Sequence, residues 1–189
     1  MRYYYRLDDE DIPIYQPAED SELLLETARE YVPPGSFVIE TGVGTGYVAQ
    51  QLVDSMDVEV VGTDINPAAC RVAYERGIPS VRATLLTCFS DHCADAVIFN
   101  PPYLPPDDRL PEDWGERAVV GGPSGIELTI EWIRMLPRIL RPDGIAICLA
   151  SSLGNIDRIR SIARSVGFEP IEVGSRRWPH ERLVSLLLA

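Results

Sequence analysis

The chain has 189 residues, of which 46% are hydrophobic, and 29 acidic against 17 basic residues give it a net charge of −12. This length suits a single domain with one core, and no apolar run reaches the roughly 20 residues that a membrane-spanning helix needs. The first residues lack the apolar core of a signal peptide, so we expect a cytoplasmic protein without membrane association.

All 17 basic residues are arginine. A dense acidic surface without lysine is typical of proteins in molar salt, where the Debye length falls to about 3 Å and repulsion between like charges is screened. The composition therefore predicts a halophilic protein, although an acidic protein from a GC-rich genome would also favour arginine. The four cysteines have no CxxC spacing and only two histidines accompany them, so we predict no metal site.

Apolar runs and turn signals alternate along the chain after an irregular start. In chain order, the predicted elements are a helix at 19–31, a strand at 37–39, a helix from the glycine-rich loop through 53, a strand at 58–62, a helix from 66, strands at 80–86 and 94–99, a helix at about 124–140, a strand at 145–150, a helix at 156–166, and strands at 169–173 and 183–188. We expect Asn66 to cap the third helix, with Pro67 in its first turn. Because strands alternate with helices, the sheet should be parallel with helices on both faces.

The last two predicted strands are joined by a short connection, Ser175 to Pro179, so we expect an antiparallel hairpin at the end of the sheet. A parallel sheet finished by such a hairpin is typical of class I methyltransferases. The predicted fold is therefore α/β, a Rossmann-like seven-stranded class I methyltransferase sheet that is mostly parallel. We expect one domain over residues 1–189, in which residues 1–35 form an N-terminal segment and helix packed on the cofactor site and residues 36–189 form the core.

The sequence ETGVGTG, which begins at Glu40, follows the first predicted strand. Gly42, Gly44 and Gly46 let the backbone turn tightly and approach a ligand at the start of the next helix. Asp64 ends the second strand, about 20 residues later, where an acidic residue bonds ribose hydroxyls in nucleotide-binding folds. The loop departs from the dinucleotide and P-loop patterns, and a carboxylate at Glu40 would favour a cationic sulfonium. We therefore predict S-adenosylmethionine as the cofactor.

The motif Asn100-Pro101-Pro102-Tyr103 follows the fourth predicted strand, so we expect it at the same edge of the sheet as the glycine loop. Neither proline has an N–H group, so the turn offers carbonyl acceptors, and Asn100 adds its side-chain carbonyl. These acceptors suit an NH₂ group, and Tyr103 can lie against a planar amide or base. We predict that Asn100, Pro101, Pro102 and Tyr103 catalyse methyl transfer by positioning a nitrogen rather than by removing a proton.

Three other functions stay open on these residues. A nucleic-acid amino-methyltransferase would present an adenine or guanine amine to the same turn, but it needs phosphate contacts, and a chain without a lysine cluster or a recognition domain gives no reason to expect stable nucleic-acid binding. A protein lysine methyltransferase would have to accept an ammonium group that first loses a proton. A noncatalytic scaffold would keep the fold and only bind the cofactor or a partner.

The chain resembles the HemK-like glutamine methyltransferases of class I translation release factors, especially their archaeal and eukaryotic branch. The resemblance spans nearly the whole chain, and its marks are Tyr15-Gln16-Pro17-Ala18-Glu19-Asp20-Ser21, Glu40-Thr41-Gly42-Val43-Gly44-Thr45-Gly46, Thr63-Asp64-Ile65-Asn66-Pro67, Asn100-Pro101-Pro102-Tyr103, Gly121-Gly122-Pro123-Ser124-Gly125 and the segment from Arg176 to Leu186. It implies transfer of a methyl group from S-adenosylmethionine to the side-chain amide nitrogen, N5, of the glutamine in the Gly-Gly-Gln motif of a release factor. The process would be translation termination.

The resemblance also implies roles for individual residues. Ser21, Glu40, Gly42 and Asp64 would bind S-adenosylmethionine, and Asn100 and Tyr103 would hold the substrate glutamine. The implied cofactor site is completed by Gly44, Gly46, Ile65, Thr84, Leu85 and Asn100. Relatives often place an aspartate near the adenine where this chain has Ala83-Thr84-Leu85-Leu86, so Thr84, backbone groups or water would make that contact.

Members of this branch typically act with a small zinc-binding activator subunit, so the resemblance implies a heterodimer. The expected contact is an edge strand from Ser80 to Leu86, on which Val81, Leu85 and Leu86 would be apolar and uncovered. The alternative is an ordinary strand that the chain's own helices cover.

Overall fold

The computed structural model describes residues 4–7, 10–104 and 119–189, and its description of side chains begins at Ile14. Its elements, in chain order, are β1 Tyr4–Leu7, β2 Glu10–Tyr15, α1 Glu19–Tyr31, β3 Ser36–Thr41, α2 Tyr47–Ser55, β4 Val58–Asp64, α3 Pro67–Glu75, β5 Ser80–Arg82, β6 Ala94–Phe99, α4 Glu127–Ile139, β7 Leu140–Ser151, α5 Ile156–Ser165, β8 Pro170–Trp178 and β9 Glu181–Leu188. Within these ranges, no helix is long and apolar enough to cross a bilayer.

A seven-stranded sheet in the order β5-β4-β3-β6-β7-β9-β8 forms the centre of the molecule. The strands from β5 to β7 are parallel, and β9 pairs antiparallel with both β7 and β8. The predicted fold class is confirmed, including the mostly parallel sheet and its terminal antiparallel hairpin. The strand order reverses between β3 and β6, which is where open α/β sheets bind their ligands.

Helices cover both faces of this sheet, as the alternating side chains of β6 show. Val97 and Phe99 are buried in the cluster that α4 and α5 cover, whereas Ala96 and Ile98 are buried in the cluster that α1, α2 and α3 cover. A strand buried on both faces needs apolar residues at every position, which is why the parallel strands could be recognised as apolar runs.

The start of the chain is more regular than predicted. β1 and β2 form an antiparallel hairpin in which Tyr4 pairs with Tyr15, where the sequence indicated irregular structure. Ile14 from β2 is buried against Ala68 and Ala69 of α3, so this hairpin lies against the helix that follows β4. Tyrosine and isoleucine favour β structure, but the acidic residues between the two strands interrupt this pattern, so the sequence did not predict the hairpin.

Several predicted boundaries were wrong, and the strand expected over 145–150, for example, begins at Leu140. The strand expected over 80–86 ends at Arg82, because the chain then turns, with Leu85 in the left-handed region at φ 50°. The connection expected over 175–179 is mostly strand, since β8 continues to Trp178 and only Pro179 and His180 form the turn.

Candidate active site

Three adjacent strands end at the same level of the sheet. Thr41 at the end of β3 is in register with Thr63 of β4 and with Phe99 of β6. Gly42, Asp64 and Asn100, which follow these residues, therefore leave the sheet side by side. The structure thus brings together the glycine loop, the acidic residue and the Asn-Pro-Pro-Tyr turn, as predicted.

The glycine loop is held close to the sheet and to α3. Gly42 has φ 66°, and a Cβ placed on it would lie 3.3 Å from the ring of Phe99. Gly46, at φ 75°, precedes α2, and a Cβ there would lie 3.0 Å from the backbone of Ala73. Larger residues would therefore be strained at both positions. The first N–H groups of α2 face this edge of the sheet, where they attract negative partial charge.

The Asp64 carboxylate connects the end of β4 to the glycine loop. Its Oδ2 accepts a hydrogen bond from the Gly44 N–H at 3.0 Å, and its Oδ1 accepts one from the Asn66 N–H at 2.8 Å. Burial raises the pKa of Asp64, and these N–H groups oppose that rise. Two accepted bonds leave lone pairs on both oxygens for ligand hydroxyls. Asn66 caps α3 as predicted, since it accepts from the Ala68 N–H at 2.9 Å.

Glu40 is buried rather than on a solvated edge, with 4% of its surface exposed. Its Oε2 accepts a hydrogen bond from the Ala49 N–H at 2.8 Å, which satisfies one of the unpaired donors in the first turn of α2. Burial raises the pKa of this carboxyl from 4.5 to about 8, the Ala49 N–H lowers it, and the neighbouring Asp64 charge raises it. A cation beside Glu40 would favour its ionised form.

The predicted adenine side of the site contains both exposed and buried residues. Ile65, directly after Asp64, is 44% exposed, and Thr84 is exposed as well. The Ala83 N–H donates to the Asp64 carbonyl at 3.0 Å, so this segment runs beside the end of β4. Thr84 is exposed, whereas the side chain of Leu85 is buried in the core. The Leu85 carbonyl accepts a hydrogen bond from the Thr63 hydroxyl at 3.0 Å.

The Asn-Pro-Pro-Tyr turn contains a buried acceptor without a partner. Asn100 Oδ1 is one of two buried side-chain nitrogen or oxygen atoms in the described part of the chain that make no hydrogen bond, the other being Ser185 Oγ in β9. An unpaired buried acceptor costs about 1 to 3 kcal/mol. Gly121 closes over the turn, since a Cβ there would lie 2.3 Å from the Pro102 carbonyl oxygen. The turn is therefore closely packed, and the side-chain oxygen of Asn100 is an acceptor without a donor.

Tyr103 is surrounded by two carboxylates. Asp20 and Glu181 are the acidic groups whose charges act on its hydroxyl. Burial first, and then these two charges, raise the pKa of Tyr103 far above its ordinary value of 10.0. The hydroxyl therefore stays protonated, and it acts as a hydrogen-bond donor rather than as a base.

Ser21, the serine expected at the cofactor, lies in the first turn of α1 and is 7% exposed. Its hydroxyl donates to Asp20 Oδ1 at 3.2 Å, and Oδ2 of the same carboxylate accepts from the Tyr15 hydroxyl at 2.8 Å. The sequence did not indicate a role for Asp20 or Tyr15, although both lie in the motif that contains Ser21. The only sequence signal for these two residues was their place in that motif, which does not reveal the hydrogen bond between them.

A second group of residues that the sequence did not predict packs against the strand ends and the glycine loop. The indole N–H of Trp132 in α4 donates to the Thr41 hydroxyl at 3.0 Å, and its ring centroid lies 5.4 Å from that of Phe99. Phe99 in turn lies under Gly42. In the sequence, Trp132 was simply one apolar residue of a helix. Among the described residues, no three histidine, cysteine, aspartate or glutamate side chains form a group suited to a metal ion.

Comparison with known proteins gives sequence and structural relatives. No family model matches the chain. A protein described as a putative N5-glutamine methyltransferase of Methanocaldococcus jannaschii is 32% identical over 178 residues, which cover 90% of this chain and 89% of that protein. The methyltransferase HEMK2 of Homo sapiens is 28% identical over 186 residues, which cover 90% of this chain and 86% of the human protein.

A solved structure has the same fold. In the Mtq2–Trm112 complex of E. cuniculi, described as responsible for methylation of the translation termination factor eRF1, the matching chain superimposes with a TM-score of 0.78 at 24% identity. The match covers 93% of this chain and 97% of that one. The whole arrangement of strands and helices is therefore shared.

Proposed function

The chain belongs to the HemK-like family of protein glutamine methyltransferases, and from this premise we propose that it methylates the side-chain amide nitrogen of a glutamine in a class I translation release factor. It is an enzyme that takes its methyl group from S-adenosylmethionine. The glutamine would be that of the Gly-Gly-Gln motif, and the methylated atom would be N5. The observation that carries the proposal is the buried, unpaired Asn100 Oδ1 beside the glycine loop.

The residues at the sheet edge suit S-adenosylmethionine, which supplies a methyl group on a positively charged sulfur when it is bound. Gly42, Gly44 and Gly46 leave the backbone accessible above the strand ends, and the free lone pairs of Asp64 suit the two ribose hydroxyls. Glu40 would favour the positive charge. The cofactor site that we propose contains Ser21, Glu40, Gly42, Gly44, Gly46, Asp64, Ile65, Thr84, Leu85 and Asn100.

Ile65 and Thr84 are the exposed side chains of this proposed adenine side. Ile65 offers an apolar surface for a planar ring, and Thr84 offers a hydroxyl in the place where relatives often have an aspartate. Leu85 would contribute mainly its backbone, because its side chain is buried in the core. We propose that these side-chain and backbone groups contact the adenine when the cofactor is bound.

Asn100, Pro101, Pro102 and Tyr103 would position the substrate amide. Asn100 Oδ1 lacks a donor, and a substrate NH₂ group would supply one. A second hydrogen bond to a backbone carbonyl of the turn would fix the plane of the amide, and the Tyr103 ring would lie against it. An amide nitrogen is a weak nucleophile because its lone pair is shared with its carbonyl, so correct placement within reach of the methyl group is the main contribution.

The turn also governs what happens to the proton. Methylation of the amide nitrogen would require it to lose one of its two protons. A carbonyl oxygen of the turn would accept a hydrogen bond from that N–H and orient it, and the proton would then pass to solvent water, because a carbonyl oxygen is too weak a base to keep it. The Tyr103 hydroxyl takes no part as a base, since burial and the charges of Asp20 and Glu181 raise its pKa and keep it protonated.

The proposed function is tested by incubating the chain, an activator subunit and isotopically labelled S-adenosylmethionine with a release factor, and by mapping the label with mass spectrometry. We expect one methyl group on the glutamine of the Gly-Gly-Gln motif and no label when that glutamine is replaced. Label on a lysine, or on added DNA or RNA, would contradict the proposal. The absence of any transfer would favour a noncatalytic scaffold.

Two variants sharpen this test because the described part of the chain contains a matched pair of buried, unpaired oxygens. Asn100→Ala should lower methyl transfer far more than it weakens cofactor binding, measured by calorimetry, because Asn100 is one of many proposed contacts to the cofactor but supplies the proposed acceptor for the substrate amide. Ser185→Ala removes the other such oxygen, in β9, and should leave transfer unchanged. Equal loss of transfer in both variants would show that the effect comes from folding rather than from amide recognition.

We further propose that a small activator subunit, which binds zinc in relatives of this branch, adds to the sheet at β5. β5 lies at one edge of the sheet, and Val81 on this strand is 43% exposed. Tyr74, on the helix that precedes β5, is 71% exposed. The apolar edge is smaller than predicted, because Leu85 and Leu86 lie in the chain's own core.

Substitution of the exposed edge residue tests this partner site. Val81→Asp should prevent formation of the heterodimer in gel filtration, since a carboxylate would be buried at the interface. Val53→Asp is the control, because Val53 is equally exposed at 43% but lies on α2. If the chain alone is monomeric, soluble and fully active, the activator is not required.

We also propose that the protein works in the cytoplasm of a halophilic archaeon. The proposed substrate acts in translation, and the charge of −12 with arginine as its only basic side chain supports adaptation to high salt. Full activity in dilute buffer without added salt would contradict this part of the proposal.

A further inference from the structure

A second glycine-rich loop covers the substrate turn. The segment Gly121-Gly122-Pro123-Ser124-Gly125, here called the GGPSG loop, lies just before α4. Its first residue lies between two backbone carbonyls, because a Cβ on Gly121 would be 2.3 Å from the Pro102 oxygen and 2.6 Å from the Gly125 oxygen. Gly121 and Gly125 are both buried. The loop therefore packs on the backbone of the Asn-Pro-Pro-Tyr turn.

Gly121 is also hydrogen-bonded on both sides. Its N–H donates to the carbonyl of Leu104, the residue directly after the turn, at 3.0 Å. Its own carbonyl accepts from the Leu128 N–H in the first turn of α4 at 3.2 Å. Gly121 thus connects the end of the substrate turn to the start of α4. A shift of the GGPSG loop would therefore shift the turn as well.

One carboxylate holds the rest of this loop. Glu127 is the first residue of α4, and its Oε1 accepts from the Ser124 hydroxyl at 2.5 Å. Its Oε2 accepts from the Ser124 N–H at 3.0 Å and from the Ile126 N–H at 3.3 Å. These donors belong to the two residues on either side of Gly125. Glu127 therefore fixes the segment whose carbonyl packs against Gly121.

Stabilisation of α4 alone does not account for this arrangement. An acidic residue in the first turn favours a helix through the macrodipole, but Glu127 reaches back past the helix start to Ser124. A Cβ on Gly122 would lie 2.7 Å from Glu127 Oε2, so the loop is folded closely around the carboxylate. The Ser124 hydroxyl, more than any other group, holds the pKa of Glu127 below its ordinary value of 4.5. At neutral pH the side chain is ionised and acts only as an acceptor.

The connection from β7 to α5 packs against the other side of the loop. A Cβ on Gly154 would lie 2.7 Å from Ile126 Cγ2 and 3.8 Å from the Ser124 carbonyl oxygen. Ile126 is only 2% exposed. The GGPSG loop is therefore enclosed between the substrate turn and this connection, and Glu127 is its charged anchor.

We propose that Glu127 is a positioning residue for methyl transfer: by holding the GGPSG loop it fixes the Pro102 backbone and, with it, the direction of the Asn100 acceptor. This role rests on the proposed function, because it belongs to the same substrate site. Glu127 acts through Gly125 and Gly121, which lie between its own hydrogen bonds and the turn.

The test compares variants in the complex with the activator subunit. Glu127→Gln places an NH₂ group where an acceptor is needed. It should lower kcat by about 10- to 100-fold, because a misplacement of about 1 Å can cost about 100-fold. The Kd for S-adenosylmethionine, measured by calorimetry, should change far less, since the loop packs on Pro102. Ser124→Ala removes only one of the bonds, so its loss should be smaller, and adding it to Glu127→Gln should lower kcat no further.

Glu131→Gln provides the matched control. It removes the same charge from an exposed position one turn later in α4, where Glu131 makes no hydrogen bond or ion pair with any other residue that the structure describes. It should leave kcat unchanged. Equal losses in Glu127→Gln and Glu131→Gln would show an effect of charge on the helix, and the proposed role of Glu127 would be wrong. Multiplicative losses in the double variant would also overturn it.

Amide hydrogen exchange without substrate separates this role from the proposed function. The Gly121 amide, which is bonded to Leu104, should exchange faster in Glu127→Gln but not in Glu131→Gln. The Ile130 amide donates to the Ile126 carbonyl at 2.9 Å, so it reports fraying of α4, and it should not change. Unchanged exchange at Gly121, or equally faster exchange at Ile130, would refute the positioning role. Faster exchange at Gly121 alone, in a chain that methylates no release factor, would refute the proposed function and leave the link between Glu127 and the turn standing.

Discussion

Replacing Glu40 by glutamine should make the stability of the protein less sensitive to pH. The folded protein binds the Glu40 proton with a pKa of about 8, against an ordinary value of 4.5. Between these values the folded state holds one more proton at this site than the unfolded state, so the free energy of unfolding falls as the pH rises. The contribution is fully present below about pH 4.5 and is lost as the pH rises through about 8.

The size of this effect follows from the shift. Each unit of difference in pKa is worth 1.36 kcal/mol, so the loss between pH 4.5 and pH 9 has an upper bound of about 5 kcal/mol. Glutamine keeps the shape of the protonated side chain and can still accept from the Ala49 N–H, but it does not titrate. Glu40→Gln should therefore match the wild type at low pH and become the more stable protein at high pH.

Urea unfolding at constant salt from pH 5 to pH 9 measures this difference. Groups that do not interact with Glu40 titrate equally in both proteins, so their contributions cancel when the variant is compared with the wild type. We expect the unfolding free energy of Glu40→Gln to exceed that of the wild type by an amount that grows with pH and reaches at most about 5 kcal/mol. A difference that stays constant from pH 5 to pH 9 would show that Glu40 is ionised in the folded protein and would refute the reasoning.

Three further outcomes are expected. Gly46→Ala should lower the unfolding free energy by about 2 kcal/mol, because the residue has φ 75° and its Cβ would lie 3.0 Å from Ala73; urea unfolding measures this, and an unchanged midpoint would contradict it. Trp132→Phe should cost about 1 to 3 kcal/mol, since the Thr41 hydroxyl loses its indole donor; equal stability of variant and wild type would show that this bond has no weight. The Tm should rise by several degrees between dilute buffer and molar KCl, because the net charge is −12; a salt-independent Tm would count against halophilic adaptation.

The sequence predicted the sheet well because its strands are buried on both faces. Ala96 to Phe99 in β6 is an uninterrupted apolar run, and a strand covered by helices on both sides requires that pattern. The short connection between the last two apolar runs predicted the terminal hairpin. The meeting point of the glycine loop, Asp64 and Asn100 was predicted because parallel strands present their carboxyl ends at one edge.

Local patterns failed where the chain changes direction within an apolar stretch. Leu85 and Leu86 look like a continuation of β5, but they belong to a turn whose side chains are in the core. Apolar character shows that a residue is buried without showing whether it is in a strand. The hairpin at the start of the chain was hidden for the opposite reason, because acidic residues interrupt its β-favouring tyrosines.

The contacts within the site needed coordinates. Glu40 was expected near a cofactor charge, and its bond to the Ala49 N–H could not be read from the sequence because it depends on how α2 leaves the loop. The hydrogen bond from the Tyr15 hydroxyl to Asp20 depends on how the end of β2 lies beside the first turn of α1. Sequence motifs identified the residue groups, and tertiary packing decides which of them touch.

Asn100 Oδ1 is buried without a hydrogen-bond donor, and the proposed function requires the substrate amide to supply that donor. A crystal structure of the chain with its activator, S-adenosylhomocysteine and a peptide containing Gly-Gly-Gln would measure the distance from Asn100 Oδ1 to the glutamine nitrogen. We predict a hydrogen bond of about 2.7 to 3.2 Å, with the nitrogen facing the cofactor sulfur. A glutamine bound elsewhere, or an Asn100 Oδ1 bonded to the chain itself in that complex, would contradict the account.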